Sequence, residues 1–275
     1  MSIAIDLERY LIRPGEAVNL KARATNDTQG LADSDEVDAQ YDDHLDALDE
    51  LQERLYAEGT RSLLVVFQAM DAGGKDSSIR KVFGPLNPQG VRVWSFKVPS
   101  KEEAEHDYLW RIHKRAPRSG HISVFNRSHY ESVLVEKVLH LASADRIAKR
   151  YAQINDFERL LASEGTTIVK VMLHISKAYQ LERFKRRLRK PDKHWKFNPS
   201  DLDTRALWDD YMAAFDLALS RCSTAHAPWY VIPAEERWFR NLALTQLVRE
   251  TLERMDPQYP PPEFDPAAYP PDSLV

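Results

Sequence analysis

The chain has 275 residues, of which 43% are hydrophobic and 29% charged, and its formal net charge is −4. This composition is typical of a globular protein and excludes a wholly disordered or fibrous chain, and no apolar run reaches the ~18 residues of a membrane span. A charged N-terminal stretch argues against a signal peptide, and the single cysteine, Cys222, excludes an internal disulfide and a cysteine-rich zinc site, so we expect a cytoplasmic protein.

The chain divides into a central region and two dissimilar ends. Residues 1–60 predict an irregular arm followed by an acidic helix over about 35–57, in which leucines recur at helical spacing. Residues 61–255 alternate short apolar runs with helical patterns. This alternation predicts an α/β fold, a three-layer αβα sandwich with a five-stranded parallel sheet. Residues 256–275 hold seven of the sixteen prolines and predict a tail without regular structure.

Five apolar runs read as buried strands, because strands covered on both faces are almost continuously apolar. They are Ser62–Gln68, Val91–Phe96, His121–Phe125, Thr167–Ile175 and Trp229–Ile232. The segments between and after them predict helices over 100–115, 130–140, 144–163, 177–189, 201–221 and 235–255.

A glycine-rich loop joins the first of these strands to a helix. Gly73 and Gly74 allow the backbone to wrap with its N–H groups inward, and Lys75 places a positive charge at the helix N-terminus. This strand–loop–helix order predicts a phosphate-binding loop; the alternative is a glycine-rich turn with a solvated lysine. The predicted phosphate-binding residues are Ala72, Gly73, Gly74, Lys75, Asp76 and Ser77.

Two positions of this loop depart from the pattern G-x-x-x-x-G-K-[ST]. Ala69 stands at the first glycine, and Asp76 replaces the hydroxyl residue that usually binds Mg²⁺. A divalent cation, Mg²⁺ or Mn²⁺, would then need another oxygen ligand. Asp71 is the best candidate for a metal ligand in the loop.

The third predicted strand ends in a second polar cluster. Asn126, Arg127 and Glu131 follow its last apolar residue, and ligands of open α/β sheets bind beyond the carboxyl ends of the strands. Arg127 can bind phosphate oxygens with two parallel hydrogen bonds, and Asn126 can act as a neutral ligand. The alternative is a helix-capping cluster with an Arg127–Glu131 ion pair.

A basic segment follows the fourth predicted strand. Between Glu182 and Lys196 the sequence has eight basic and two acidic residues, on a chain that is otherwise acidic. Such a local excess predicts a binding surface for a polyanion, and residues 182–200 form a candidate lid over the phosphate loop. An exposed charged helix is the alternative. The candidate residues for binding the polyanion are Arg80, Lys81, Arg183, Arg186, Arg187 and Lys193.

The residues from Ala69 to Leu244 resemble the family-2 polyphosphate kinases in five ordered blocks. The blocks are AMDAGGKDSSIRKVFGPLNPQGV, SFKVPSKEEAEHDYLWRIHKRAP, VFNRSHYESVLVEKV, LERFKRRLRKPDKHWKFNPSDL and APWYVIPAEERWFRNLAL. Because these enzymes resemble thymidylate kinases, the resemblance implies a P-loop kinase fold with a helical lid, in which polyphosphate replaces ATP as the donor.

The resemblance also implies residue roles. The catalytic residues would be Asp71, Lys75, Arg127, Arg183 and Arg187, and the nucleotide-binding residues Lys97, Asn126, Arg127 and Glu131. Many members of the family have F-D-R-S-W-Y-N at the strand tip, where this chain has FNRSHYE. Asn126 and Glu131 resemble the class III subgroup, which implies phosphorylation of AMP as well as ADP.

Together these observations predict a Mg²⁺-dependent enzyme that transfers phosphoryl groups reversibly from inorganic polyphosphate to AMP and ADP. The alternatives are an ATP-dependent nucleoside or nucleotide kinase and a non-catalytic nucleotide- or polyphosphate-binding regulator. We expect no nucleic-acid or membrane partner, and the family suggests a homodimer or homotetramer.

Overall fold

A computed structural model describes residues 3–270 and contains one mixed sheet of six strands. In spatial order the strands run β1-β6-β5-β2-β4-β3. Strands β2 to β6 are parallel, and β1 pairs antiparallel with β6. The strands are β1 (Leu11–Ile12), β2 (Ser62–Ala69), β3 (Val91–Ser95), β4 (Ile122–Asn126), β5 (Thr166–His174) and β6 (Trp229–Pro233).

The expectation of five strands was wrong by one. All five predicted parallel strands are present, but the N-terminal arm adds β1, in which Leu11 faces Tyr230 and Ile12 faces Trp229. Two residues are too few to show an alternating pattern, so the sequence of the arm gives no strand signal. The pairing is fixed instead by the free edge that β6 presents and by the complete burial of Ile12.

Ten helices are found in residues 3–270. They are α1 (Asp35–Glu58), α2 (Lys75–Phe83), α3 (Lys101–Ala104), α4 (Trp110–His113), α5 (Val135–Val138), α6 (Ala144–Ser163), α7 (Lys177–Arg189), α8 (Ser200–Ala206), α9 (Trp208–Cys222) and α10 (Arg237–Met255). Helix α10 packs against α1 and α2, whereas α9 packs against α5 and α6. These two groups are the outer layers of the predicted sandwich. None of the described helices combines the length and the apolar character that a membrane crossing requires.

Three predicted helices are interrupted. The helix expected over 100–115 is two short helices, because the Asp107 carboxylate accepts hydrogen bonds from the backbone N–H groups of Leu109 and Trp110 and starts α4 anew. The helix expected over 130–140 begins as a 3₁₀ turn, His129–Ser132, and continues as α5. The helix expected over 201–221 breaks at Leu207 into α8 and α9.

The carboxyl ends of the parallel strands meet at one edge of the sheet, and the candidate residues follow them. The phosphate loop follows β2, the Asn126–Glu131 cluster follows β4, and α7 and α10 follow β5 and β6. Strand β2 lies in the centre of the sheet, and its residues from Leu63 to Phe67 are fully buried. A rigid strand therefore holds the phosphate loop between the other loops.

Candidate active site

The phosphate loop has the backbone geometry of an anion cradle. Ala72 and Gly74 adopt left-handed conformations with φ of 62° and 99°. A Cβ added at Gly73 would lie 2.7 Å from the Ala69 Cβ and 2.9 Å from the Met70 carbonyl oxygen, so only glycine fits this close approach. Alternating left- and right-handed residues turn successive N–H groups toward one point, where the N-terminus of α2 adds positive potential.

Lys75 is the first residue of α2 and is buried. Its Nζ donates a hydrogen bond to the Ala69 carbonyl oxygen at 2.9 Å, which folds the side chain back over the loop. Burial lowers the pKa of the Lys75 ammonium, Arg127 lowers it further, and Asp71 opposes the change. The ammonium is thus a desolvated point charge inside the cradle, where its attraction to a phosphate is stronger than in water.

Arg127 lies beside this lysine at the carboxyl end of β4. Its backbone is left-handed, with φ of 63°, and its Nη2 donates to the Asp71 Oδ1 at 2.9 Å. Glu131 lies on the other side of the guanidinium, 3.9 Å from Nη1, so the ion pair considered from the sequence is present. Burial raises the pKa of the Glu131 carboxyl, although Arg127 and Lys75 oppose the rise.

The two unusual residues of the sequence motifs contact each other. The Asn126 Nδ2 donates a hydrogen bond to the Asp76 Oδ1 at 2.6 Å. The Asn126 amide at the end of β4 therefore binds the Asp76 carboxylate, which occupies the loop position where a serine or threonine is usual. An aspartate at 126 would place two carboxylates at this distance.

The candidate lid is held in place by Arg187. Its Nη1 donates to the Lys196 carbonyl oxygen at 2.9 Å and lies 3.2 Å from the Asp201 Oδ2. Asp201 lines the same cavity as the phosphate loop, and burial and the negative charge of Asp71 raise the pKa of its carboxyl. Arg187 thus ties the two ends of the lid together, and Asp201 is a further carboxylate at the site.

These elements enclose a cavity of about 690 Å³, with eleven basic and three acidic side chains among the described residues that line it. Nearly all sequence-predicted site residues lie in this lining. They are Asp71, Ala72, Gly73, Gly74, Lys75, Asp76, Ser77, Arg80, Lys97, Asn126, Arg127, Arg183, Arg186, Arg187 and Lys193. Two predicted residues lie outside the lining. Glu131 contacts the lining residue Arg127, whereas Lys81 lines a separate cavity beside α1.

Sequence reasoning missed part of the lining. The additional residues are Ser95, Phe96, Tyr179, Lys196, Asp201, Arg237 and Arg240. Arg237 and Arg240 open α10, directly after β6, so the rule that ligands bind beyond strand ends could have identified them. The sequence there, PAEERWFR, matches no phosphate-binding motif.

The carboxylates of the cavity suit a magnesium ion that is bound partly by the protein and partly by substrate phosphates and water. No group of three or more His, Cys, Asp or Glu side chains in residues 3–270 is arranged to hold a metal ion by itself. Mg²⁺ keeps several waters and commonly uses one or two carboxylates together with substrate phosphates. Asp71 and Asp76 each have one carboxylate oxygen engaged by Arg127 or Asn126 and a second one that could serve as such a ligand.

Asn126→Asp should make the protein's stability dependent on a divalent cation. The variant loses a hydrogen bond to a charged acceptor and gains a like charge, which we expect to cost about 1 kcal/mol in the free energy of unfolding when EDTA is present. Adding Mg²⁺ should recover most of this loss, because two adjacent carboxylates attract the ion. Chemical denaturation with EDTA and with MgCl₂ measures both values.

Asn126→Ala is the matched control, since it removes the same hydrogen bond without adding a carboxylate. Its free energy of unfolding should respond to Mg²⁺ as the unmodified protein does. An equal response of the Asp and Ala variants would show that positions 76 and 126 do not share a cation.

Comparisons with known proteins identify the family of the chain. The model of the family described as polyphosphate kinase 2 (PPK2) matches residues 31–260. The chain is 48% identical over 258 residues to an AMP/ADP-polyphosphate phosphotransferase of Meiothermus ruber, covering 94% of this chain and 97% of that protein. It is 42% identical over 228 residues to an ADP-polyphosphate phosphotransferase of Rhodopseudomonas palustris, covering 78% and 79%.

A solved structure agrees with the architecture as well. The crystal structure of polyphosphate kinase 2 from Arthrobacter aurescens superimposes with a TM-score of 0.89 at 43% identity, over 93% of this chain and 92% of that one. The matched family region includes the phosphate loop, the strand tip, the lid and α10. The family match over residues 31–260, the two relatives and this solved structure together show that the chain belongs to the polyphosphate kinase 2 family.

Proposed function

We propose that this protein transfers phosphoryl groups from inorganic polyphosphate to AMP and ADP, forming ADP and ATP. The observation that carries the proposal is the cavity, in which eleven basic side chains and the phosphate loop surround three carboxylates. Such a surplus of positive charge suits a substrate with many phosphates. The name of the Meiothermus ruber relative supports this donor and both acceptors, and the name of the Rhodopseudomonas palustris relative supports the donor and ADP.

In the proposed reaction a phosphate oxygen of the acceptor attacks the terminal phosphorus of the polyphosphate chain. A new P–O bond forms to the nucleotide, the bond to the next phosphate breaks, and the shortened chain leaves as an anion. The acceptor oxygen is already ionised, so the reaction requires no strong general base. Positioning and charge neutralisation are then the main contributions of the protein.

Lys75 and Arg127 have the geometry for charge neutralisation. Both lie at the carboxyl end of the sheet, and both are held by the loop, Lys75 through the Ala69 carbonyl and Arg127 through Asp71. Fixed cations stabilise the charge of the transferring group without reorganising during the reaction. Arg183 and Arg187 of the lid would approach the same group from the opposite side and exclude water.

A divalent cation is a general requirement of kinases, and we propose Mg²⁺ or Mn²⁺ here, held by Asp71. When bound, the cation would neutralise oxygens of the transferring and neighbouring phosphates. The Asp71 carboxylate is itself oriented by Arg127, at 2.9 Å, so one contact links the metal ligand to the phosphate-binding arginine.

The proposal is tested by incubating the purified protein with AMP, Mg²⁺ and polyphosphate and separating the nucleotides by chromatography. We expect ADP to appear first and ATP after it, because AMP is the first acceptor and ADP the second. A parallel reaction with ADP alone should give ATP directly. The reverse reaction should consume ATP when polyphosphate is scarce, since one phosphoanhydride replaces another of similar energy.

The donor and acceptor are distinguished in the same experiment. Transfer to ADP but not AMP would leave polyphosphate as the donor and contradict the class III assignment of Asn126 and Glu131. Transfer only from ATP, to nucleosides or nucleoside monophosphates, would identify an ATP-dependent kinase. No transfer from either donor would favour a binding protein.

Two further predictions accompany this function. The family suggests a homodimer or homotetramer, which sedimentation or light scattering of the full chain measures. A reducing, cytoplasmic location agrees with the single cysteine, Cys222, which is buried and unpaired. Burial raises the pKa of this thiol to about 12, so it is unreactive at neutral pH.

A further inference from the structure

Gln180, the fourth residue of α7, is a buried amide behind the phosphate loop. Its side chain is fully buried, and it is not among the described residues that line the cavity. Its Nε2 donates a hydrogen bond to the Asp71 carbonyl oxygen at 2.9 Å, whereas the Asp71 carboxylate is held by Arg127. Because α7 follows β5 and Arg127 follows β4, Asp71 is held from both strands that flank β2.

The bond from Gln180 orients the peptide bond between Asp71 and Ala72. This peptide bond is trans, so its C=O and N–H groups point in opposite directions. The carbonyl points toward α7, and the Ala72 N–H therefore points away from it. Ala72 also has a φ of 62°, a left-handed conformation that costs energy for a residue with a Cβ. Such a conformation persists where surrounding contacts determine it, and Gln180 supplies one of them.

The oxygen of the same amide contacts Arg205 in α8. The Arg205 Nη1 donates to the Gln180 Oε1 at 3.3 Å and also to the Lys177 carbonyl oxygen in the first turn of α7. A guanidinium only donates and a carbonyl oxygen only accepts, so the amide must face Arg205 with its oxygen and Asp71 with its nitrogen. Glutamine meets both demands. A carboxylate has no donor for the carbonyl, and an aliphatic side chain can meet neither demand.

These contacts lie at the base of the lid. Gln180 precedes the lid residues 182–200, and Arg205 follows them. The hydrogen bond between the two side chains joins the chain before the lid to the chain after it. Since the same glutamine holds the Asp71 carbonyl, the base of the lid is tied to the orientation of the phosphate loop.

We propose that Gln180 is a positioning residue that orients Asp71 and Ala72 for phosphoryl transfer, and that Arg205 keeps the Gln180 amide in the orientation this requires. Both residues act through the loop and not by contact with a substrate. The effect on transfer rests on the proposed function. The effect on the loop does not, because the contacts are present without substrate.

Gln180→Glu and Gln180→Met test the inference at pH 8, where an ordinary carboxyl is ionised. Both variants lose the donor to the Asp71 carbonyl, but glutamate has the same shape and keeps an acceptor for Arg205. In both, kcat for transfer from polyphosphate to ADP should fall at least tenfold, because the loop is no longer held in the reactive geometry. KM for ADP should change less than threefold, since the side chains that line the cavity are unaltered.

Hydrogen–deuterium exchange gives a measurement that does not depend on transfer. The Gly73 N–H donates to the Met70 carbonyl oxygen at 3.0 Å, so its exchange rate reports the conformation of the loop. Without polyphosphate or nucleotide, this rate should rise in both Gln180 variants. The rise should be at least five times that of the amides of Leu63–Phe67 in β2, which report the stability of the whole sheet.

Arg205 is tested separately, because it is only half-buried and its replacement leaves the core intact. Arg205→Met should lower kcat at least threefold, and Arg205→Lys, which keeps a donor, should recover most of that loss. The double variant Arg205→Met with Gln180→Met should be no slower than Gln180→Met alone, since the arginine acts through the glutamine. Arg221→Met, with an exposed side chain on α9, is the matched control and should keep the unmodified kcat.

Three outcomes would overturn the inference. Unchanged kcat and unchanged Gly73 exchange in Gln180→Glu would mean that the loop needs no donor from α7. Equal increases of exchange at Gly73 and in β2 would make Gln180 a residue that stabilises the whole fold. Multiplication of the two single effects in the double variant would show that Arg205 acts independently of Gln180. If the unmodified protein transfers no phosphate, the proposed function fails, while the exchange rates still decide the role of Gln180 in the loop.

Discussion

Lys75→Met is expected to lower kcat/KM for phosphoryl transfer from polyphosphate by about 10³-fold. The methionine side chain has a similar length but no charge, so the loop loses the ammonium that its own backbone holds in place. The Lys75 Nζ donates to the Ala69 carbonyl at 2.9 Å, and its position is therefore fixed before the substrate binds. A fixed charge stabilises the transferring phosphoryl group without a reorganisation cost, and kcat should fall together with kcat/KM.

Two measurements separate this effect from damage to the fold. Burial lowers the pKa of the Lys75 ammonium, so replacing it with an apolar side chain should leave the unfolding temperature nearly unchanged. Lys149→Met, on the exposed side of α6, is the control and should keep full activity. A loss of less than tenfold in the Lys75 variant would mean that Arg127 and the lid arginines carry the neutralisation without it.

The parallel sheet could be predicted because its strands carry their own signal. Runs such as Leu63–Phe67 are buried on both faces and are almost continuously apolar. Strand β1 could not be predicted, since Leu11 and Ile12 acquire their conformation from the edge of β6. The helix interruptions depend on single side chains, such as the Asp107 carboxylate, that compete with the backbone for hydrogen bonds.

The same distinction applies to the candidate site. Lys75 and Arg127 belong to short motifs next to strand ends, so their meeting follows from local sequence and from the rule for parallel sheets. Arg240 forms a hydrogen bond with Ser77, which is 163 residues away in the sequence. Asp201 lies at the site only because the lid folds over the cavity, where Arg187 pairs with it. Lys81 follows Arg80 by one residue, about 100° around α2, and this rotation turns it away from the cavity.

A buried ion pair behind the strand tip connects the fold to the site. The Lys170 Nζ lies 2.5 Å from the Glu158 Oε2 and donates to the Tyr130 hydroxyl and to the Cys222 carbonyl oxygen. Glu158 also accepts hydrogen bonds from Tyr130 at 2.9 Å and from the His129 Nε2 at 3.1 Å. Burial raises the pKa of the Glu158 carboxyl, but the charge of Lys170 and the bond from His129 outweigh it and lower the pKa overall.

Lys170→Met should lower the free energy of unfolding by about 3–5 kcal/mol, because the Glu158 carboxylate would remain buried without a counter-charge. This is a large part of the 5–15 kcal/mol typical of a folded protein. Arg159→Met, on the same helix as Glu158, breaks an exposed ion pair with Asp156 and should cost less than about 1 kcal/mol. Denaturant unfolding of both variants gives the comparison.

The double variant Lys170→Met with Glu158→Leu decides whether the charge or the packing is responsible. Removing both charges should recover part of the stability lost by Lys170→Met, since the cost lies in the unpaired carboxylate. The transfer activity need not recover with the stability. His129 and Tyr130 would lose the Glu158 carboxylate as their hydrogen-bond acceptor, and these two residues lie only two and three positions after Arg127 in the chain. Equal stability of the Lys170 and Arg159 single variants would show that the buried pair contributes nothing to the fold. Recovered stability with reduced transfer would show instead that this pair positions Arg127 against the phosphate loop.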